Sequence, residues 1–193
     1  MEFNIRRRVK IRGMGNQVLG DPHKCYLRIY GEGNRVTFEE GVKSFDGEIV
    51  IGAGDCPIKN CEVVIGSGTT CCGAKIVLME SGSSVRIGKD CQISERVEIW
   101  CSDTHAILNE RGEVTNAEPA HIEIGDHVWL GLGASVLKGA KIAANSIVGM
   151  RAVVTSSLAP VPGAVYAGNP ARILRSDYNW SRERPEQAKA FLV

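Results

Sequence analysis

The stretch Ile124-Gly-Asp-His-Val-Trp129-Leu130-Gly131 opens a register that runs on to Thr155. Aliphatic residues recur at Ile124, Leu130, Val136, Ile142, Val148 and Val154, always six apart. About one residue in four is Ile, Leu or Val, so such a run arises by chance on the order of once in 5000 starts. The other slots repeat as well. Gly125, Gly131, Leu137, Ala143, Gly149 and Thr155 follow each aliphatic, and mostly small residues stand four places on, at Val128, Ala134, Ala140, Ser146, Ala152 and Leu158. The third slot holds His127, Gly133, Gly139 and Asn145, residue types that tolerate turn conformations. A period of six fits neither a helix nor an ordinary half-buried strand; it is the signature of a parallel β-helix.

Working outward, Val9-Lys-Ile11-Arg-Gly13-Met-Gly15-Asn16-Gln-Val18 recurs as Leu27-Arg-Ile29-Tyr-Gly31-Glu-Gly33-Asn34-Arg-Val36. The offset is three hexads, so three short strands per coil would stack the two copies directly. The doubled spacing relates Ile51-Gly to Ile87-Gly, while Cys56 to Gly82 breaks phase and predicts an irregular insertion. Hexads resume at Ile87, Ile93 and Ile99 and stop again before Ile124. The polar stretch between, about residues 105–121, predicts a loop thrown out from the coil. Pro160 and Pro162 are expected to end the register. Residues 1–175 therefore read as one β-helix domain of about eight coils, and 176–193 as a tail forming a short helix.

Composition narrows the function. Across 193 residues, 23 basic side chains face 22 acidic ones, which excludes the basic stripe of a nucleic-acid binder. No apolar run reaches 18 residues, and the basic start, Arg6, Arg7, Arg8, Lys10 and Arg12, has no apolar stretch behind it. The sequence thus predicts a cytoplasmic protein without a transmembrane segment. Seven cysteines with no Cys-x-x-Cys pair read as reduced thiols filling a narrow core.

Chemistry-bearing residues are few. His105, at the mouth of the expected loop, suits a general base for a hydroxyl, with Asp103 placed to orient it. The plain alternative is a solvated loop histidine. A zinc site of His105, His121 and His127 competes, although His127 fills a turn slot. Trp129 immediately precedes an inward aliphatic and so points outward, toward a ligand or a second subunit. The glycines beside it leave a flat groove.

Ser102-Asp-Thr-His105, the stretch from Ile124 to Gly131, Val153-Val-Thr155 and Ala167-Gly-Asn-Pro-Ala-Arg172 together resemble the hexapeptide-repeat acyltransferases. The likeness is narrower to the galactoside, maltose and capsular-polysaccharide O-acetyltransferase branch. It implies an all-β fold, a left-handed parallel β-helix, and a homotrimer with acetyl-CoA held between subunits. By family pattern His105 matches the general base and Trp129 the indole at the thioester end. Gly131, Gly149, Met150 and Thr155 match the groove wall, and Arg172 and Arg175 the nucleotide end. No metal is implied. Ala106 stands where the family usually has proline, Met150 where a small residue is common, and no counterpart of the galactoside enzymes' acceptor-binding asparagine is present.

The resemblance therefore implies acetyl transfer to a sugar hydroxyl, on a capsular or other cell-surface polysaccharide or its precursor. His105 would act within a ternary complex. Serine or another small-molecule acetyl acceptor, a γ-type carbonic anhydrase and a non-catalytic β-helix are the alternative readings.

Overall fold

The six-residue period becomes geometry through stacking. In the computed structural model, which describes residues 8–188, Ile124 pairs with Ile142, Leu130 with Val148 and Val136 with Val154, all in parallel. Three hexads therefore close one coil around three faces. The first face carries an unbroken column: Val9, Leu27, Ile49, Ile76, Ile99, Val136 and Val154. All but Val9 are fully buried. Each such side chain withdrawn from water contributes roughly 1.5–3 kcal/mol, so the column is a major source of stability.

The second face is a six-stranded parallel sheet: Gln17–Leu19, Arg35–Phe38, Glu62–Ile65, Ser84–Ile87, His121–Ile124 and Lys141–Ile142. The third face stacks Phe45, Cys71, Ile93, Leu130, Val148 and Tyr166. Lower down, the long strands Lys24–Glu32, Ser44–Ile51 and Thr70–Leu78 run around the corner and fuse the third face with the first. The described residues span eight coils.

Two slots explain their own residue types. His127, Gly133, Gly139 and Asn145 all take positive φ, between 53° and 75°, and so does Arg151. These are the corners where the backbone turns in the left-handed region. At Gly131 a Cβ would lie 2.8 Å from the Met150 nitrogen and the Val148 oxygen, so the coil above leaves no room for any other residue. In the N-terminal coils the repeated asparagines do related work. Asn34 is fully buried; its amide donates to Asn16 Oδ1 and the Ile58 carbonyl, and its Oδ1 accepts from Cys61 N.

Several expectations change. The doubled spacing of Ile51 and Ile87 is a coincidence: Ile51 stacks on Leu78, whereas Ile87 stacks on Ile65 and Ile124. Coils there hold 22 to 27 residues, and the first lengthening falls at residues 39–43, ahead of the predicted break. The prolines remove one second-face strand without ending the register. Tyr166 still stacks on Val148, and its buried hydroxyl accepts from Val161 N and donates to Val161 O, satisfying the segment that lost its strand.

After the antiparallel pair Val165–Gly168 and Ala171–Arg175, joined through a cis Asn169–Pro170 bond, the chain runs back in extended form. Among the described residues, helix is confined to Pro185–Ala188. The expected short helix thus begins near the end of the tail, and an extended strap precedes it. Arg6 and Arg7 of the predicted basic strand, and Lys189 and Ala190 of the predicted tail helix, lie outside the described residues. Among the described residues no helix is long and apolar enough to cross a membrane.

Candidate active site

The excursion leaves the prism between Val97–Cys101 on the first face and His121–Ile124 on the second. Ile99 nevertheless pairs with Val136 in the next coil, so the column closes across the base of the loop. Three successive coils place polar groups on this corner: Glu80, then Ser102 with Asp103, then Lys138. Ser102 Oγ donates to Glu80 Oε1 at 2.9 Å and accepts from Thr104 N at 2.8 Å. Lys138 Nζ lies 3.3 Å from Asp103 Oδ2 and 3.8 Å from Glu80 Oε1, and donates to the Asn116 carbonyl at 2.8 Å.

His105 sits on this braced base. Thr104, at φ 64°, turns the chain, and Asn116 Nδ2 donates both to the His105 carbonyl and to Asp103 Oδ2, each at 2.9 Å. Asn116 Oδ1 also accepts from Ile107 N at 2.9 Å, so one side chain pins both strands of the loop mouth. The His105 side chain is exposed and has no hydrogen-bond partner among the described residues. Asp103 does not orient it. Its carboxylate is occupied by Asn116 and Lys138, the nearest donors on the same corner.

A cleft of about 560 Å³ opens beside this base, lined by Asp103, Asn116, His121, Lys138 and Lys141 among others. His121 and His127 stand apart from His105. His121 Nδ1 meets Ser84 Oγ at 2.9 Å, while His127 is held between Asp90 Oδ2 and the Trp180 carbonyl. No group of three metal-ligating side chains occurs among the described residues.

Trp129 lies on the third face, outward as expected, 36% exposed and donating to Ser94 Oγ at 3.3 Å. Gly131 and Gly149 follow it on the corner between third and first faces, with Met150 largely exposed beside them. Thr155 follows the last first-face strand and shares a 2.8 Å hydrogen bond with Ser157. Arg172 and Arg175 are on the terminal strand; Arg175 donates to the Tyr178 hydroxyl at 2.7 Å. One chain therefore keeps Trp129 with its glycine corner together, and places His105 at the opposite edge of the first face.

Sequence reading missed Glu80, Asn116 and Lys138, which meet only because coils of unequal length stack. It also missed the strap residues Trp180 and Arg182. Trp180 stacks on His127, with centroids 4.2 Å apart and planes 9° apart, and Arg182 Nε bonds Asp90 Oδ1 at 3.0 Å. Their one legible signal was a tryptophan within the mostly polar stretch Ser176–Gln187.

No family model matches the chain. It is 31% identical over 124 residues to a polysialic acid O-acetyltransferase of Escherichia coli O1:K1 / APEC, spanning 64% of this chain. The chain matches only about two fifths of the length of such curated relatives, 39% in that case. Among solved structures, the polySia specific acetyltransferase NeuO superposes with a TM-score of 0.74 at 26% identity, over 96% of this chain and 98% of that one. A hexapeptide-repeat acetyltransferase of Vibrio cholerae O1 biovar eltor, solved with acetyl coenzyme A, gives 0.52 at 26% identity, over 72% and 70%. Stacked six-residue repeats, an excursion at the histidine-bearing corner and these likenesses make the chain similar to the hexapeptide-repeat, left-handed β-helix acetyltransferases.

Proposed function

We infer that the chain transfers acetyl from acetyl-CoA to a sugar hydroxyl, on a capsular or other cell-surface polysaccharide or its precursor. The observation that carries this reading is the presentation of His105: a rigid backbone held by Asn116 at the loop mouth, with an open, exposed imidazole. Likeness to acetyltransferases named for polysialic acid supports the acceptor class, and the Vibrio neighbour solved with acetyl coenzyme A supports the donor.

In one chain His105 and Trp129 flank the first face and do not meet. A homotrimer, with this face against the next subunit, would bring His105 of one copy to Trp129 of another. The corner bared by Gly131 and Gly149 suits the extended donor, with Met150 and Thr155 beside its path. Arg172 and Arg175 supply cations for its phosphates; Arg175 must exchange its bond to Tyr178 to do so.

His105 accepts the acceptor hydroxyl's proton as that oxygen attacks the thioester carbonyl. The resulting imidazolium returns the proton to sulfur as the carbon–sulfur bond breaks, releasing CoA and the acetyl ester. No acyl-enzyme is required, because both substrates meet in one site. A cytoplasmic location fits the seven cysteines, all unpaired.

The test is acetyl-CoA turnover with a panel of surface glycans, following free CoA by chromatography. Acceptor-dependent release supports the reading. Absence of both release and acetyl-CoA binding by calorimetry refutes it.

A further inference from the structure

The tail returns from the last coil to grip coils far below it. Tyr178 N donates to the Gly163 carbonyl, and Trp180 then lies flat on His127, its Nε1 donating to the His127 carbonyl at 2.7 Å. The His127 ring completes a clasp, with Nδ1 2.8 Å from Asp90 Oδ2 and Nε2 3.0 Å from the Trp180 carbonyl. Asp90 occupies the matching corner one coil below, and its other oxygen accepts from Arg182. The Arg182 guanidinium also donates to Thr70 Oγ1 and the Cys91 carbonyl, both at 2.8 Å. A planar five-donor head satisfied on this many fixed acceptors is an anchor with little freedom left.

The clasp leads to Trp129. Trp180 is only 9% exposed, and its ring centroid lies 6.2 Å from that of Trp129, with the planes tilted by 46°. Apart from this contact the Trp129 indole has one long hydrogen bond, to Ser94, and its own strand is only two residues long. Along the chain His127 precedes Trp129 and Gly131 follows it, one at each end of that strand. Trp180 therefore fills the His127 side and leaves the glycine corner open.

We propose that Trp180 is a positioning residue: held by the Asp90–His127–Arg182 clasp, it fixes the Trp129 indole toward the donor groove. The inference rests on the reading of Trp129 as a donor-groove residue. It adds that the C-terminal strap sets that residue's orientation, through an aromatic contact typically worth a few-fold to about tenfold in affinity.

The experiment measures acetyl-CoA affinity by calorimetry, melting temperature, and the circular dichroism couplet that two neighbouring indoles generate, in Trp180→Ala, Trp180→Phe, Arg182→Ala and Trp129→Ala. The wild type shows the couplet, and both Trp129→Ala and Trp180→Phe abolish it. Trp180→Ala and Arg182→Ala weaken acetyl-CoA binding several-fold, whereas Trp180→Phe, which keeps a ring against Trp129, restores most of it. Unchanged affinity in folded Trp180→Ala overturns the proposal, as does a loss that Trp180→Phe does not recover. Should Trp180→Ala not fold, Arg182→Ala and Trp180→Phe decide by the same criteria. If Trp129→Ala itself binds acetyl-CoA normally, the donor-groove reading has failed, and the strap's role falls with it.

Discussion

Ile99 and Val136 are in-register partners of one parallel ladder although 37 residues separate them, against 18 between Val136 and Val154. The β-helix thus closes beneath its excursion, and the core does not depend on the loop. Excising Leu108–Val114 and joining Ile107 to Thr115 through two glycines should change stability by less than about 0.5 kcal/mol, as for other exposed segments. The acceptor KM should rise about tenfold if the loop shapes the acceptor pocket. Chemical denaturation and steady-state kinetics check the two halves separately.

The stacked corner of Glu80, Ser102 and Lys138 carries a stability cost when broken. Both charged side chains are 18% exposed, and Glu80 Oε2 is buried without a hydrogen-bond partner. Lys138→Met should destabilise by about 3 kcal/mol, since it leaves a buried carboxylate uncompensated. Adding Glu80→Gln should recover part of that loss, a coupling that a double-mutant cycle in urea measures.

Thiol reactivity should divide the cysteines two against five. Cys56 and Cys72 are exposed. Burial pushes the thiols of Cys61 and Cys91 up to about 11 and those of Cys71 and Cys101 up to about 12, with Cys25 raised as well. A maleimide at neutral pH should modify two thiols in the native protein and seven after unfolding, counted by intact mass.

The strap should be acid-sensitive. Desolvation alone would raise the Asp90 carboxyl, but hydrogen bonds from His127 and Arg182 outweigh it and hold the group below its ordinary 3.8. A carboxylate depressed on folding contributes stability that is present above the unfolded value and lost as pH falls through the folded one. Tryptophan fluorescence should therefore show a transition below about pH 4, as Asp90 takes up its proton and the clasp on Trp180 loosens, and Asp90→Asn removes that transition.

Much of this was legible at Ile124–Thr155, because each inward residue, glycine corner and left-handed turn there obeys one period. The N-terminal repeat was legible for the same reason, with Asn16 and Asn34 stacked as their spacing requires. Between Glu39 and Gly82 the coils vary in length, so residues equally spaced in sequence, such as Ile51 and Ile87, reach different neighbours. That variability also hid the bracing of His105. Asp103 reads as its orienter in sequence, yet a nearby lysine from the next coil captures that carboxylate. Trp180 was hidden for another reason: a strap has no period, and its contacts to His127 span 53 residues.

The central claim is that His105 moves the proton, and turnover of His105→Ala tests it most directly. With acetyl-CoA and a responsive glycan, kcat should fall at least about a hundredfold, while calorimetry shows acetyl-CoA bound as in the wild type. Turnover within a few-fold of the wild type, with the same acceptor, would contradict the account and remove His105 from the chemistry.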